Sequence, residues 1–258
     1  MVAHEIEYEI IGSEMQAVEV ILDPDETTVS EPGSMLYMEE GISMETMLGD
    51  GSKANQGFFG KVLDAGKRAI TGEKLFMTSF TNQGAGKKKV AFASPYPGKI
   101  IPIDLAEKGE IQCQKGSFLC SAKGISVGIA FQKKLGVGFF GGEGFIMQRL
   151  TGNGLAFVHA GGSIIERQLE PGETLKVDTG CLVALTSSIN YDIKFVGGIK
   201  NTLFGGEGMF FAVLSGPGTV WLQTLPFSRL ADKILALAPK KSKSEGGGFG
   251  DGMDGDDE

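Results

Sequence analysis

Histidine and cysteine are scarce in this chain, which has 258 residues but only 2 histidines and 3 cysteines. A transition-metal centre built from several imidazoles and a carboxylate therefore lacks its ligands. Cys113, Cys120 and Cys181 form no CxxC pair and cannot all pair with one another, which predicts reduced thiols in a cytosolic compartment. For a nucleophilic cysteine or serine, His159 is the one plausible base. The sequence predicts no catalytic residues and no metal site.

Long apolar runs and an excess of basic residues are also missing. No apolar stretch approaches the ~18–20 residues that span a bilayer. The start, "MVAHEIEYEIIG", carries acidic residues where a secretory or mitochondrial leader would carry basic ones. With 24 basic and 32 acidic residues the formal net charge is -8, which argues against a general nucleic-acid binder. These features predict a cytoplasmic protein and make nucleic acid an unfavoured partner.

Glycine, in contrast, is abundant, with 40 residues and no Gly-X-Y period. The stretch "KKLGVGFFGGEGFIM" contains GxGxxG at Gly136, Gly138 and Gly141, the pattern of a dinucleotide-binding loop. That reading requires a following helix, but a short β-type run and another turn follow instead. We interpret these glycines as turn residues, and the sequence predicts no cofactor.

The chain contains three copies of one sequence pattern. A leucine, an acidic turn, a Gly-small pair and then an isoleucine recur in the same order in "LDPDETTVSEPGSMLYMEEGISME", "LAEKGEIQCQKGSFLCSAKGISVG" and "LEPGETLKVDTGCLVALTSSINYD". The Gly-small pairs are Gly33-Ser34, Gly116-Ser117 and Gly180-Cys181. The second half also recurs, in "TGEKLFMTSFTNQGAG", "GGEGFIMQRLTGNG" and "GGEGMFFAVLSGPG", with Glu73, Glu143 and Glu207 in register.

These repeats predict an all-β protein. Each would form a small β-sandwich or double-stranded β-helix, and the three would pack around a pseudo-threefold axis. The predicted repeats cover about 5–95, 96–160 and 161–226, within one compact domain spanning 1–239. One short helix is expected in the insertion "KVLDAGKRAI" and a second at 228–238, with Ser228 as its N-cap and a buried apolar face. The charged, glycine-rich tail 240–258 is expected to be disordered.

The aligned motifs also resemble a known family. "EPGSMLYM", "TGEKLFMTSFTNQG", "PYPGKIIPIDL", "GSFLCSAKGISV" and "GGEGFIMQRLTGNGLAFVHAGG" look like the altered-inheritance-of-mitochondria family, most of whose prokaryotic members are uncharacterised. The resemblance runs from Tyr8 to about Pro226. It implies a repeated fold similar to the trp RNA-binding attenuation protein, and it supplies no catalytic residues. Yeast relatives support the organisation of the mitochondrial inner membrane.

Two sets of residues are candidate sites. Glu73, Glu143 and Glu207 could converge into a cation or ligand site, although the favoured alternative is that each carboxylate accepts hydrogen bonds from its own turn. The tips "QGFFGK" and "VGFFGG" could present an apolar contact to a partner or a membrane surface, or could pack inside. Their aromatic residues are Phe58, Phe59, Phe139 and Phe140.

Three functions remain open from the sequence. The first is a non-catalytic intracellular β-scaffold that self-associates as a homo-oligomer and binds an unknown ligand or protein partner. The second is a peripheral membrane-organisation factor that uses the Phe-Gly tips. The third is an RNA-binding module, by analogy of fold alone.

Overall fold

A computed structural model describes residues 2–49, 76–133, 144–195 and 210–237. Antiparallel strands make up most of these residues, as the sequence predicts for an all-β protein. The alternation of apolar and polar residues explains this choice, since it suits a sheet with one buried face. In the strand Ala17–Leu22, for example, Val18, Val20 and Leu22 are fully buried.

The strands fall into three consecutive groups along the chain. The first group comprises β1 (Glu7–Ile11), β2 (Ala17–Leu22), β3 (Thr27–Ser30), β4 (Met35–Met38), β5 (Ile42–Leu48), β6 (Phe76–Asn82) and β7 (Lys88–Ala93). The second comprises β8 (Gly98–Asp104), β9 (Ile111–Gln114), β10 (Phe118–Ala122), β11 (Ser126–Lys133), β12 (Phe145–Thr151) and β13 (Leu155–Gly161). The third comprises β14 (Ile164–Leu169), β15 (Thr174–Asp178), β16 (Leu182–Thr186), β17 (Asn190–Phe195), β18 (Phe210–Ser215) and β19 (Gly218–Gln223).

Two α-helices lie in the described part of the chain. The short α1 (Leu105–Lys108) follows β8, and the Asp104 side chain accepts a hydrogen bond from the Ala106 amide at its start. The C-terminal helix α2 (Phe227–Ala236) confirms the predicted second helix. Its N-cap is Pro226, two residues before the predicted Ser228, and Ser228 lies within the first turn of the helix. The helix predicted in the insertion "KVLDAGKRAI" falls outside the described residues, as does the tail 240–258.

Four antiparallel sheets result from these strands. In hydrogen-bonding order they are β1-β2-β7-β4, β5-β6-β3-β10-β13-β8, β11-β12-β9-β16-β19-β14 and β15-β18-β17. Each six-stranded sheet takes three strands from one group and three from the next. The two junctions between groups are therefore β3·β10 and β9·β16.

The same four pairings occur in all three groups. Counting from β2, β8 and β14 as first strands, the first and third strands pair with the sixth, and the second and fourth pair with the fifth. The extra strand β1 pairs with β2 in the first group. A division into three repeats around a pseudo-threefold axis, within one domain, stays a prediction that this pairing pattern supports.

The apolar core lies between the sheets in two clusters. The larger cluster joins the first and second groups with a few residues of the third, and it includes an edge-to-face pair of Phe80 and Phe92, whose ring centroids lie 5.2 Å apart. The second cluster is centred on the third group, with Phe145 and Met147 contributed by β12 of the second group. Side-chain packing in the core thus links the groups, in addition to the hydrogen bonds between the junction strands.

A close backbone approach at Gly98 gives the first testable prediction. A Cβ atom at Gly98 would lie 2.1 Å from the Ala160 carbonyl oxygen and 2.7 Å from His159 Nε2. We expect Gly98→Ala to lower the free energy of unfolding by roughly 1–3 kcal/mol, because strand β8 must move away from β13. Urea unfolding at neutral pH measures the change.

The matched control is Gly128→Ala, in strand β11. No atom lies within 4 Å of a Cβ placed at Gly128, so stability should change little. Equal losses in both variants would contradict the steric explanation.

Candidate interaction surfaces

The candidate site residues chosen from the sequence lie outside the described residues. These are Glu73, Glu143, Glu207, Phe58, Phe59, Phe139 and Phe140. Each glutamate occupies the connection between the fourth and fifth strands of its group, two or three residues before β6, β12 or β18. Their convergence into a ligand site, and the exposure of the Phe-Gly tips, remain predictions.

The connection that contains GxGxxG links two neighbouring antiparallel strands. Strand β11 precedes the motif, β12 follows it, and the two pair antiparallel from Ser126↔Thr151 to Lys133↔Phe145. A dinucleotide-binding loop joins a strand to a helix in a parallel βαβ unit. The flanking strands therefore do not provide that context.

Both histidines have structural surroundings. His4 Nδ1 accepts a hydrogen bond of 3.0 Å from the Thr27 amide, and burial lowers its pKa. His159 is 2% exposed and packs edge-to-face on Tyr96, with ring centroids 4.7 Å apart. Burial lowers the pKa of His159 to about 4, so its imidazole is neutral at pH 7. Its Nδ1 atom makes no hydrogen bond within the described part of the chain.

The buried cysteines are poor nucleophiles. Cys113 and Cys120 are buried in β9 and β10, and burial raises the pKa of each thiol. A thiol of raised pKa carries little thiolate, which is the reactive form. Among the residues that the structure describes, no group of three or more His, Cys, Asp or Glu side chains could hold a metal ion.

A polar pair, partly buried Glu31 and buried Gln148, lies near the junction of the first two groups. Burial raises the pKa of Glu31, while a hydrogen bond from the Gln148 side chain opposes that shift. Gln148 is itself buried, and its Oε1 atom has no hydrogen-bond partner among the described residues. Sequence reasoning missed this pair, because the glutamate of "EPGS" has the pattern of an ordinary turn residue.

Strand β4 exposes an unusual run of large apolar side chains. Met35, Leu36, Tyr37 and Met38 are all exposed, Leu36 by 58%. The strand pairs with β7 on one side and has no partner strand on the other among the described residues. Tyr37 anchors it, because its hydroxyl donates a hydrogen bond to the Glu19 carboxylate, which also accepts one of 2.5 Å from Lys89 Nζ.

The strands in the same position of the other two groups are buried. β10 is buried at every residue, and β16 at all but its last. Each is covered because a strand of the preceding group pairs with its open edge: β3 covers β10, and β9 covers β16. Beside β4, no strand of the described residues occupies the equivalent place, and its edge is open.

The other exposed edges carry charged residues or proline, which oppose strand addition unless the partner offers a compensating charge. The eight edge strands of the described sheets are β1, β4, β5, β8, β11, β14, β15 and β17. Within its bounds β4, "MLYM", alone contains neither a charged residue nor proline. Charges and proline on an edge discourage pairing with other chains. An edge without them is suited to an interaction.

A second apolar surface lies on helix α2. Phe227, Leu230, Ile234 and Leu235 fall at helical spacing on one face, yet no residue of the helix is buried. Leu235 is 68% exposed, and Leu237 just beyond the helix is 87% exposed. The predicted burial of Leu230, Ile234, Leu235 and Leu237 is therefore wrong. Phe227 alone makes an aromatic contact, with Tyr96 at a ring-centroid distance of 5.2 Å.

Comparison with known proteins places the chain in a family. A family model described as "Mitochondrial biogenesis AIM24" matches residues 8–225. The chain belongs to the AIM24 family. An uncharacterised protein of Streptococcus pyogenes serotype M6 is 29% identical over 228 residues, which cover 87% of this chain and 88% of the relative.

A solved structure shares the AIM24 fold seen here. The crystal structure of a protein from Streptococcus pyogenes superposes with a TM-score of 0.71 at 23% identity, covering 90% of this chain and 99% of that one. The family resemblance identified from the motifs is thus confirmed. Neither described helix of this AIM24 member has the length and apolar character needed to traverse a bilayer.

The buried imidazole of His159 predicts a pH dependence of stability. The unfolded chain takes up a proton near pH 6.5, whereas folded His159 takes one up only near pH 4. Stability from the neutral imidazole is therefore complete above pH 6.5 and is lost as the pH falls towards 4, by at most about 3 kcal/mol. Chemical denaturation of the wild type and of His159→Gln, between pH 7 and pH 4, measures it.

The variant removes this titration and keeps all others, including that of Glu31, whose raised pKa favours the folded state as the pH falls. The advantage of the wild type over His159→Gln should therefore shrink towards pH 4. A difference that stays constant across this range would show that folded His159 titrates normally.

Proposed function

We propose that this AIM24 protein is a non-catalytic intracellular scaffold that self-associates through exposed strand edges. The observation that carries the proposal is the open apolar edge of β4, whose counterparts β10 and β16 are buried. Burying apolar side chains is worth roughly 25 cal/mol per Å² removed from water, and an open edge also offers unpaired backbone groups. A partner strand on β4 would gain both contributions.

The surroundings of the nucleophilic residues support the non-catalytic part of the proposal. Cys113 and Cys120 lie inside the core, and burial lowers the pKa of His159 to about 4. A general base works best with a pKa near the operating pH and within reach of its substrate. His159 meets neither condition at neutral pH.

One observation favours peripheral membrane contact as a second function. Helix α2 presents Ile234 and Leu235 to solvent, and the basic residue Lys233 lies directly before them, while Arg229 is paired with Asp178. Apolar residues flanked by basic ones are typical of helices that lie in the interface of an anionic membrane. Nucleic-acid binding has no comparable support, since the net charge is -8.

Light scattering coupled to size-exclusion chromatography tests the scaffold. The wild type should show a concentration-dependent mass above the 27.3 kDa of one chain. Leu36→Lys should return the mass to one chain, because a charge on this edge must be desolvated when a strand is added.

The matched control is Ile165→Lys, which alters an exposed apolar residue of the charged edge strand β14. This control should keep the mass of the wild type. A wild type that remains a single chain at every concentration would refute the scaffold.

Liposome sedimentation tests the second function. The double substitution Ile234→Ser with Leu235→Ser should abolish sedimentation with anionic vesicles, because it removes the exposed apolar face of α2. Phe195→Ser is the control, since Phe195 is an exposed aromatic residue of β17 and not of the helix. Absence of sedimentation for the wild type would exclude membrane contact.

A further inference from the structure

The two smaller sheets are unmatched halves of the pattern that builds the larger ones. Each six-stranded sheet joins the second, fourth and fifth strands of one group to the first, third and sixth strands of the next. Two sets of three strands are left over: β2-β7-β4 of the first group and β15-β18-β17 of the third. Their open edges are β4 and β15, the same two strand positions that meet at β3·β10 and β9·β16.

The three strands β4, β10 and β16 share an irregularity at the same residue. Pairing with the sixth strand shifts register between Met35 and Tyr37, between Phe118 and Cys120, and between Leu182 and Ala184. The second residue of each strand is thus bulged. A bulge changes which side chains after it face the core. Since the three strands carry the bulge at the same position, equivalent residues after it lie on equivalent faces.

The two junctions also share one register. Cys120 pairs with Ser30, and Ala184 pairs with Cys113. Ser30 lies seven residues before Tyr37, and Cys113 lies seven residues before Cys120. Each junction therefore pairs the residue after the bulge with a residue of the preceding group that lies seven positions before the equivalent post-bulge residue there. The corresponding residue of the third group, seven before Ala184, is Val177 in β15.

We propose that β15 of one copy pairs antiparallel with β4 of a second copy, in the register Val177–Tyr37, Lys176–Met38 and Leu175–Glu39. This inference rests on the self-association proposed above and names its partner and its two faces. The joint sheet has seven strands, β1-β2-β7-β4 from one copy and β15-β18-β17 from the other. It continues the junction that the chain already makes twice within itself.

The chemistry of the two edges suits this pairing. Across β4, the partner strand would cover Met38 and Tyr37, whose equivalents Ser121 and Cys120 are buried under β3. In the proposed register Lys176 lies diagonal to Glu40, within reach of a long side chain in an antiparallel pair. Both residues are exposed in the isolated chain. Opposite charges on a diagonal favour this register over its neighbours.

The resulting contact is head-to-tail. Each copy carries one β4 edge and one β15 edge, so each can bind two neighbours through different surfaces. Such a heterologous contact builds a ring if the rotation between copies closes, and a filament if it does not. A two-fold dimer that pairs β4 with β4 would leave both β15 edges open, so the two arrangements are distinguishable by chemistry.

Disulfide trapping between variants that each carry one added surface cysteine, with Cys113 and Cys120 left buried, tests the register. In a Cys181→Ser background, which places serine where the first two groups already carry Ser34 and Ser117, Lys176→Cys and Met38→Cys are prepared separately. Both positions are exposed, so the fold should be retained, and circular dichroism verifies this. Oxidised glutathione is then added to each variant and to their equimolar mixture.

The expected result is a two-chain disulfide species in the mixture and none in either variant alone. The matched control pairs Lys176→Cys with Glu39→Cys, one residue away, where the two side chains point to opposite faces of the sheet. That mixture should give at least tenfold less product.

Other outcomes overturn the proposal in distinguishable ways. Product from Met38→Cys alone would show a two-fold contact, and a monomeric disulfide in a chain carrying both cysteines would show closure within one chain. If the wild type assembles but the mixed variants form no disulfide, this register is contradicted and the proposed self-association is not. A wild type that never assembles would contradict both the register and the self-associating scaffold.

Discussion

The backbone hydrogen bonds between strands of successive groups are the constraint on which this structure depends. Each group contributes half of one sheet and half of the next, and only β3·β10 and β9·β16 make those halves into whole sheets. The side chains at these joints, among them Thr28, Ser121 and Cys113, are small or medium-sized and buried. Since a buried backbone group without a partner is costly, each pairing also protects the core on either side of it.

This staggered construction explains both the burial and the exposure of chemically similar strands. The sequences of β4, β10 and β16, "MLYM", "FLCSA" and "LVALT", are all apolar in character, and nothing within them distinguishes the exposed strand from the buried ones. What differs is whether another group precedes them in the chain. β4 is therefore exposed because of its position among the groups, although its apolar composition is that of a strand covered by a partner.

Sequence reasoning predicted the fold class well because strand formation follows from local alternation and turn residues. The family and the C-terminal helix were also predictable, since both depend on contiguous motifs. The burial of α2 was not, because an apolar stripe such as Ile234 and Leu235 looks the same whether or not a partner covers it. The open strand edges could not be predicted either, because pairing between groups joins residues about 70 to 95 positions apart, as in Ser30 and Cys120. The predicted glutamate and phenylalanine sites lie outside the described residues, so neither the β4 edge nor the α2 surface includes them.

The order of the junctions has a consequence for synthesis on the ribosome. Strand β3 emerges well before β10, with about 90 residues between Ser30 and Cys120, so at roughly 5–20 residues per second its edge waits for about 5 to 20 seconds. A somewhat shorter delay recurs between β9 and β16, because Cys113 and Ala184 are about 70 residues apart. Nascent chains on one messenger RNA would thus expose the same unpaired strand edges close to one another. A chaperone that shields β3 during this interval would favour its pairing with β10 of the same polypeptide.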